Sequence, residues 1–206
     1  MIKVLGRANS INVQKVMWCA AELQVPVERN DIGGAFGGND TDEYLAANPN
    51  GKVPTLVEDD FVMWESNAIV RYLCEQHGSA PWFPPTARDR GHANQWMDWY
   101  LTSLHPFMTI IFWQLIRTAP EDQDNMAVQS ATEQAAELWA ILDRHLADRD
   151  FILGDSPSMA DIPLGCAAYR WHEMEIDRPD LSHLKRWWRR LADRPAYRQH
   201  VMLPLT

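Results

Sequence analysis

A proline-rich segment divides the sequence into two parts of different character. Residues 77–86, HGSAPWFPPT, contain three prolines and show little hydrophobic periodicity, so no helix or sheet strand is expected to run through them. Strand and helix patterns both occur before this segment, whereas only helical periodicity follows it. The sequence therefore predicts an α/β domain over residues 1–77, a linker over 78–86 and an all-helical domain over 87–206.

The first part combines short strand patterns with helical ones. Apolar or β-branched runs of strand length occupy residues 2–5, 25–28, 53–58 and 61–64, and helical spacing occupies 12–24 and 66–76. Asp59-Asp60 joins the last two runs into a predicted hairpin. A βαβ unit followed by a hairpin and a covering helix predicts a mixed four-stranded sheet. The stretch GGAFGG over residues 33–38 is interpreted as a loop, because no phosphate-binding motif surrounds it.

The second part contains helical patterns only. The longest covers residues 87–117, with an expected bend at Pro106, and further patterns cover 121–148, 162–171 and 181–191. Ser158-Met-Ala-Asp161 stands before the third of these patterns and has the form of a capping box. The predicted fold class is thus an α/β domain followed by an all-α domain.

Composition excludes several classes of function. The chain has 19 basic and 28 acidic residues, a net charge of −9, which argues against a nucleic-acid surface. No apolar run approaches the ~20 residues that a membrane span needs, and Met1 leads directly into the first strand without a signal peptide. The three cysteines form no Cys-x-x-Cys motif, and the seven histidines show no metal-ligand spacing. We therefore expect a cytoplasmic protein without a metal, with Cys19 buried in the core.

Ser10 and Asn12 lie where the first strand gives way to the first helix. Either side chain can simply cap that helix. In a functional interpretation, the free N–H groups and partial positive charge of the helix N-terminus stabilise a thiolate and lower the pKa of a thiol. No cysteine occupies this position, so the thiol belongs to a ligand. Ser10 or Asn12 then supplies an additional hydrogen bond to the sulfur.

A second set of polar residues surrounds the hairpin. Glu65-Ser66 opens the following helix and is either an N-cap or a clamp for an α-amino acid, in which Glu65 pairs with the ammonium and Ser66 binds the carboxylate. Pro54 is unusual at the head of a strand, because proline has no N–H to donate. A cis Val53–Pro54 bond would turn the Val53 N–H and C=O toward a bound peptide. Lys52 is placed to meet a second carboxylate.

These signals describe a short peptide with a thiol, an α-amino-acid end and a further carboxylate, which is glutathione. The stretches GRANSINVQKV, NPNGKVPTL, WESNAIVRYL and SMADIPLG carry a match to a known family. On these stretches, and over nearly its whole length, the chain resembles a cytosolic glutathione transferase of the serine type, with a bacterial-like Ser-x-Asn motif at the first helix.

The resemblance implies a thioredoxin-like domain that binds glutathione as co-substrate, a helical domain that forms the electrophile site, and a homodimer that acts in detoxification. It places Ser10 in the position of the catalytic hydroxyl. Asn12 is a rival, because some bacterial relatives with this motif use the asparagine. No tyrosine lies near residues 5–12, so tyrosine-type chemistry is excluded.

Apolar residues on either side of Pro106 are expected to line the electrophile site, although ordinary core packing also explains part of this set. They are Trp96, Tyr100, Phe107, Met108 and Trp113, with Arg117 as a candidate partner for an acidic substrate. The predicted activity is conjugation of glutathione to small hydrophobic or halogenated electrophiles. The alternatives are a glutathione-dependent disulfide reductase or peroxidase, and a non-catalytic ligand-binding protein of the same fold.

Overall fold

The N-terminal part of the molecule is built around a four-stranded sheet. The computed structural model describes all 206 residues. The strands are β1 (Ile2–Leu5), β2 (Val27–Asn30), β3 (Thr55–Glu58) and β4 (Phe61–Trp64), in the order β2-β1-β3-β4. β1 is parallel to β2 and antiparallel to β3, and β3 pairs with β4 as a hairpin. The predicted mixed sheet and hairpin are confirmed.

The strand boundaries differ from the prediction at two places. β2 begins at Val27 instead of Val25, because Val25 still belongs to the turn that closes the first helix and donates its N–H to the Ala20 carbonyl. β3 begins at Thr55, because Val53 and Pro54 precede the sheet and are joined by a cis peptide bond, as the sequence interpretation required. Ala80–Pro81 in the proline-rich segment is also cis, and no sequence pattern predicted this.

Nine α-helices cover the sheet and form the second part of the molecule. They are α1 (Ile11–Glu22), α2 (Asp42–Ala47), α3 (Ser66–His77), α4 (Ala87–Trp99), α5 (His105–Phe112), α6 (Asn125–His145), α7 (Asp161–Glu173), α8 (Ser182–Ala192) and α9 (Pro195–His200). Helix α9 was not predicted, because only Tyr197 is buried in its six residues and one apolar position gives no period. No helix is both long enough and apolar enough to cross a membrane.

The long helix predicted over residues 87–117 is interrupted once and ends in a second irregular turn. π-helical turns occupy Tyr100–Leu104 and Trp113–Arg117, on either side of α5. Pro106 lies in the first turn of α5, where a missing N–H is tolerated. Such π-helical turns are frequent at functional sites.

Helix α1 joins the two parts of the molecule. Gly165 of α7 approaches it so closely that an added Cβ would lie 2.8 Å from the Trp18 ring. Trp18 also meets the Tyr197 ring edge-on, with centroids 4.8 Å apart. At the end of α1, Glu22 accepts two hydrogen bonds of 2.6 Å from the Arg194 guanidinium. The sheet domain is therefore packed directly against α7 and α9.

Asp161 organises the start of α7. The Ser158 N–H donates to its carboxylate over 2.9 Å, which is the reciprocal half of the predicted capping box. The Ile152 N–H and the Trp187 indole N–H also donate to it, over 3.1 and 2.8 Å. One buried carboxylate thus connects the preceding loop, α7 and α8.

Candidate functional site

The first helix begins with a hydroxyl that the fold does not use. Ser10 is the N-cap of α1 in an extended backbone conformation, yet its side chain accepts no hydrogen bond from the helix. Its hydroxyl has no hydrogen-bond partner within the protein, and the residue is only 7% exposed. The simple capping interpretation therefore does not describe Ser10. The hydroxyl remains free to donate to a group placed at the helix N-terminus.

Asn12 is held in one orientation by two donors. The Lys15 ammonium donates to its side-chain oxygen over 2.9 Å, and the Ser66 hydroxyl donates to the same oxygen over 3.2 Å. An ammonium has no acceptor, so the atom that faces Lys15 must be the amide oxygen. The amide nitrogen of Asn12 makes no hydrogen bond to the protein and is left as a donor.

Lys15 is fully buried below this cluster. Its ammonium lies 4.7 Å from the centroid of the Tyr100 ring. Burial and, to a smaller extent, the charge of Arg170 lower the pKa of Lys15 to about 8, against opposing contributions from Cys166 and Glu65. The neighbouring Tyr100 hydroxyl lies 3.0 Å from the His105 imidazole. The ammonium and the phenol are therefore buried beneath Asn12, and the half-buried His105 imidazole connects them to the larger cavity.

His105 is electrically neutral at ordinary pH. Burial, followed by the charges of Lys15 and Arg170, lowers its pKa to about 4. Burial also raises the pKa of the Tyr100 phenol, which keeps its proton. The phenol can donate to the unprotonated ring nitrogen.

A small cleft of about 50 Å³ collects the residues predicted to hold a peptide. Its lining includes Asn12, Lys52, Val53, Pro54, Glu65 and Ser66. The Lys52 carbonyl accepts hydrogen bonds of 2.7 Å from the Tyr44 hydroxyl and the Asn48 amide, which fix the loop before the cis bond. The structure thus brings all five predicted glutathione-binding residues into one cleft.

Glu65 occupies this cleft with an uncommon backbone. Its φ is +72°, in the left-handed region that a residue with a side chain rarely adopts. Its carboxylate is exposed and has no hydrogen bond to the helix that follows. Such backbone conformations cost roughly 1–3 kcal/mol and cluster at binding sites. Glu65 is therefore oriented for a purpose other than capping α3.

A larger cavity of about 350 Å³ adjoins the cleft and lies between the two parts of the molecule. The sheet domain contributes Arg7, Ser10, Asn12, Lys52 and Val53 to its lining. The helical part contributes His105, Thr109, Phe112, Trp113, Arg117 and Arg170. Asn12, Lys52 and Val53 line both spaces, so a ligand in the cleft borders on whatever occupies the cavity.

The residues predicted for the electrophile site are distributed unevenly. Trp113, which is 58% exposed, and Arg117 line the larger cavity. Tyr100 and Met108 are buried in the core, and Phe107 packs against that core. Trp96 lies in a separate cavity beside His145, with ring centroids 4.6 Å apart. Helical spacing alone did not reveal which face of the interrupted helix points toward Ser10.

Several residues of the site were missed by the sequence interpretation. Arg7 and Lys15 lie within the stretch GRANSINVQKV but were given no role there, and His105 and Arg170 carry no local motif. Arg170 lies in a helix that is buried on every side except at its C-terminal end. The one signal for Arg170 was a charged residue within the otherwise uncharged and mostly apolar run over residues 162–171. No cluster of three or more His, Cys, Asp or Glu side chains is arranged to hold a metal ion.

Comparison with known families identifies both parts of the chain. Residues 9–76 match the family described as "Glutathione S-transferase, N-terminal domain". Residues 104–195 match "Glutathione S-transferase, C-terminal domain". Among curated proteins, glutathione S-transferase GstB of Escherichia coli is 39% identical, with all of both chains covered. Dichloromethane dehalogenase of Methylophilus leisingeri is 34% identical over 71% of this chain and 58% of its own.

A solved structure supports the same assignment. The theta class glutathione S-transferase of the citrus canker pathogen Xanthomonas axonopodis pv. citri, with glutathione bound, is 45% identical. The match has a TM-score of 0.96 and covers 100% of this chain and 99% of that one. The predicted fold class, a thioredoxin-like domain followed by an all-helical domain, is confirmed. The chain belongs to the glutathione S-transferase family.

Proposed function

We propose that this protein transfers the thiolate of glutathione to small electrophiles, with the sulfur bound at the N-terminus of α1. The observation that carries the proposal is the pair of unused donors there, the Ser10 hydroxyl and the Asn12 amide nitrogen. Both line the cavity in which an electrophile would meet the sulfur. The glutathione-bound Xanthomonas relative supports glutathione as co-substrate.

The remaining parts of glutathione have partners in the cleft. The ammonium of the γ-glutamyl end pairs with the Glu65 carboxylate, and its carboxylate binds the Ser66 N–H at the start of α3. The backbone of Val53 pairs with the cysteinyl unit, as an added strand pairs with a sheet edge. The exposed Lys52 ammonium meets the glycine carboxylate. All of these groups line one continuous opening.

The protein activates the thiol without forming a covalent bond to the substrate. The helix N-terminus and the two donors stabilise the thiolate, and each unit by which they lower the thiol pKa corresponds to about 1.4 kcal/mol. The proton of the thiol leaves to solvent. The thiolate then attacks an electrophilic carbon, a C–S bond forms, and the leaving group departs with the bonding electron pair.

The electrophile is placed between Ser10 and the helical wall formed by Phe112 and Trp113. An apolar wall of this kind suits a small hydrophobic or halogenated molecule. The similarity to a dichloromethane dehalogenase supports displacement of a halide. Trp96 is not part of this proposal, because it lines a different cavity.

We also propose that the protein is a cytoplasmic homodimer that removes reactive electrophiles. Apolar side chains stand exposed on the edge strand β4, where Phe61, Val62 and Trp64 are 38%, 41% and 38% exposed. An exposed apolar edge is typical of an association surface. The three cysteines are all free and buried, which fits a reducing compartment.

One observation supports a second activity. The Asn12 side chain is part of a network with Lys15 and Ser66, and a network of donors around a bound sulfur also suits thiol–disulfide exchange. Rates with chlorodinitrobenzene, hydroxyethyl disulfide and cumene hydroperoxide separate conjugation from reductase and peroxidase activity. We expect conjugation to show the largest rate enhancement of the three activities over the corresponding uncatalysed reaction. Calorimetric binding of glutathione without turnover of any of the three would instead indicate a ligand-binding protein.

A further inference from the structure

The larger cavity is lined by an excess of positive charge. Arg7, Lys52, Arg117 and Arg170 all contribute to its wall, and no aspartate or glutamate does. This is unexpected in a chain whose net charge is −9. A concave site lined by one sign of charge raises the local concentration of ions of the opposite sign. The cavity is therefore suited to an anion.

Three of these side chains form no ion pair and no side-chain hydrogen bond within the protein. The guanidinium groups of Arg7, Arg117 and Arg170 form no ion pair, although arginines elsewhere in the molecule do, as Arg29, Arg71 and Arg194 illustrate. Arg170 is only 8% exposed, and its Nε has no hydrogen-bond acceptor. The Nε of Arg7 is buried without an acceptor as well. Buried charges are normally paired, so an unpaired buried arginine facing a cavity indicates a binding role.

The geometry brings two of the arginines together on one ring. The Arg170 guanidinium lies 3.6 Å from the centroid of Phe112, and that of Arg117 lies 5.5 Å from the same centroid. Their proximity is also seen in the pKa of Arg170, which burial and, to a smaller extent, the charges of Arg117 and Arg7 lower to about 10, against opposing contributions from Tyr100 and Cys166. Phe112 thus holds both guanidiniums at the cavity wall by cation–π contact.

Glutathione leaves these arginines unused. In the binding mode proposed above, its two carboxylates bind at the start of α3 and at Lys52, which both line the cleft in the sheet domain. Arg117 and Arg170 belong to the opposite wall, in the helical part of the molecule. The second reactant is the ligand that occupies this side of the cavity.

We propose that the electrophile is a small organic acid whose carboxylate is bound by Arg117 and Arg170, with Arg7 on the facing wall. This inference rests on the proposed function and names its substrate class. A planar guanidinium binds a carboxylate through two parallel hydrogen bonds, which fix the position of the acid and compensate its charge. The carbon that carries the leaving group then faces the sulfur at Ser10.

The arginines reduce an electrostatic repulsion that slows such a reaction. A thiolate and a carboxylate repel each other as they approach, which slows attack on an anionic substrate. Paired arginines neutralise the carboxylate before the sulfur reaches the carbon. With a 2-halo acid, the C–S bond forms as the C–halogen bond breaks, and halide leaves with the electron pair. No oxidant, reductant or further reactant is needed.

Iodoacetate and iodoacetamide provide a matched test, because they differ by charge and hardly at all in size. The kcat/KM of each is divided by its uncatalysed rate with glutathione, which removes the difference in intrinsic reactivity. We expect the wild type to favour iodoacetate in this ratio. We expect Arg117→Met to lower the ratio by roughly tenfold, equivalent to about 1.4 kcal/mol, mainly through the KM for iodoacetate. Arg117→Lys should restore part of it. The buried cysteines are protected from both reagents.

Two further variants complete the test. Arg170→Met should lower the same ratio, and Arg88→Met, which removes an equal charge from the exposed start of α4, should not.

A ratio that is unchanged by Arg117→Met and Arg170→Met overturns the inference. So does an equal loss with both reagents, which would show that the arginines serve the thiolate. Turnover of chlorodinitrobenzene without any preference for the acid also overturns it, while the proposed function stands. No turnover of any electrophile overturns both.

Discussion

At the scale of single residues, the orientation of the Asn12 amide decides what the start of α1 can bind. Its oxygen accepts from Lys15 and Ser66, so its nitrogen faces the opening beside the free Ser10 hydroxyl. The sequence left the Ser10 hydroxyl and the Asn12 amide as alternative donors, and the structure makes both available together. Their separate contributions can be measured on the bound thiol itself.

We predict that Ser10→Ala raises the pKa of glutathione bound to the protein, because the hydroxyl donates to a charge that exists only on the thiolate. At a pH below the thiol pKa, each unit by which that pKa increases lowers the thiolate fraction roughly tenfold. The kcat/KM for chlorodinitrobenzene should fall by a similar factor, and glutathione affinity should change little. The measurement is the ultraviolet absorbance of the bound thiolate as a function of pH.

Asn12→Ala is the matched comparison. A larger shift of the titration midpoint in Asn12→Ala than in Ser10→Ala would make the amide the principal donor. An unchanged midpoint in both variants would leave the helix N-terminus as the sole source of activation.

At the scale of elements, Asp161 shows how one carboxylate sets the position of a helix. It accepts from Ile152, Ser158 and Trp187, and burial nevertheless raises its pKa above the usual value for an aspartate. Helix α7 carries Arg170, so the network that fixes the start of the helix also fixes this arginine at the cavity wall.

We predict that Asp161→Ala destabilises the protein by about 3–5 kcal/mol, because several buried donors lose their acceptor at once. Thermal unfolding followed by circular dichroism should show a fall in Tm of about 2–4 °C for each kcal/mol. Asp180→Ala, at an exposed aspartate that makes no hydrogen bond, is the control and should leave Tm unchanged. A Tm for Asp161→Ala close to that of the control would contradict the structural role given to this network.

Elements with a strong local pattern were predictable, whereas features created by tertiary packing were not. The four strands and the long amphipathic helices followed from their periodicity. The π-helical turns around α5 and the short α9 depend on neighbouring helices and leave no period in the sequence.

The same distinction applies to single side chains. Ser10, Glu65 and Ser66 were found because they stand at helix starts, which are recognisable locally. Arg170 was missed because its role depends on packing between distant segments. Cys19 and Cys74 are likewise 55 positions apart in sequence, yet their sulfurs lie 3.6 Å apart in the core.

At the scale of the whole molecule, the half-buried histidines His105 and His172 link stability to pH. Burial lowers the pKa of His172 from 6.5 to about 4, and the charges of Arg178, Lys185 and Arg189 add to the shift. His105 is lowered to about 4 as well. In the window between about 4 and 6.5, the unfolded chain binds protons that the folded protein does not. Stability is therefore full above this window and falls as the pH decreases through it.

We predict that His172→Phe reduces this loss of stability. The ring of His172 stacks on Trp188 with centroids 4.1 Å apart, so a phenyl ring can keep the contact without binding a proton. At the lower end of the window, His172→Phe should preserve on the order of 3 kcal/mol of unfolding free energy that the wild type loses. Urea unfolding across the window is the measurement, with His77→Phe at an exposed site as the control. Equal slopes of unfolding free energy against pH for wild type and His172→Phe would refute the assignment.

The close approach of Gly165 to Trp18 has a consequence for the construction of chimeric enzymes. The glycine lies in the helical part of the molecule, and the ring that needs its lack of a side chain lies in the sheet domain. A helical domain from a relative with a larger residue at this position would push α1 outward, and with it the Ser10 that begins the helix. A chimera of two such enzymes should therefore keep this contact. Its helical domain must leave room for the indole that its sheet domain contributes.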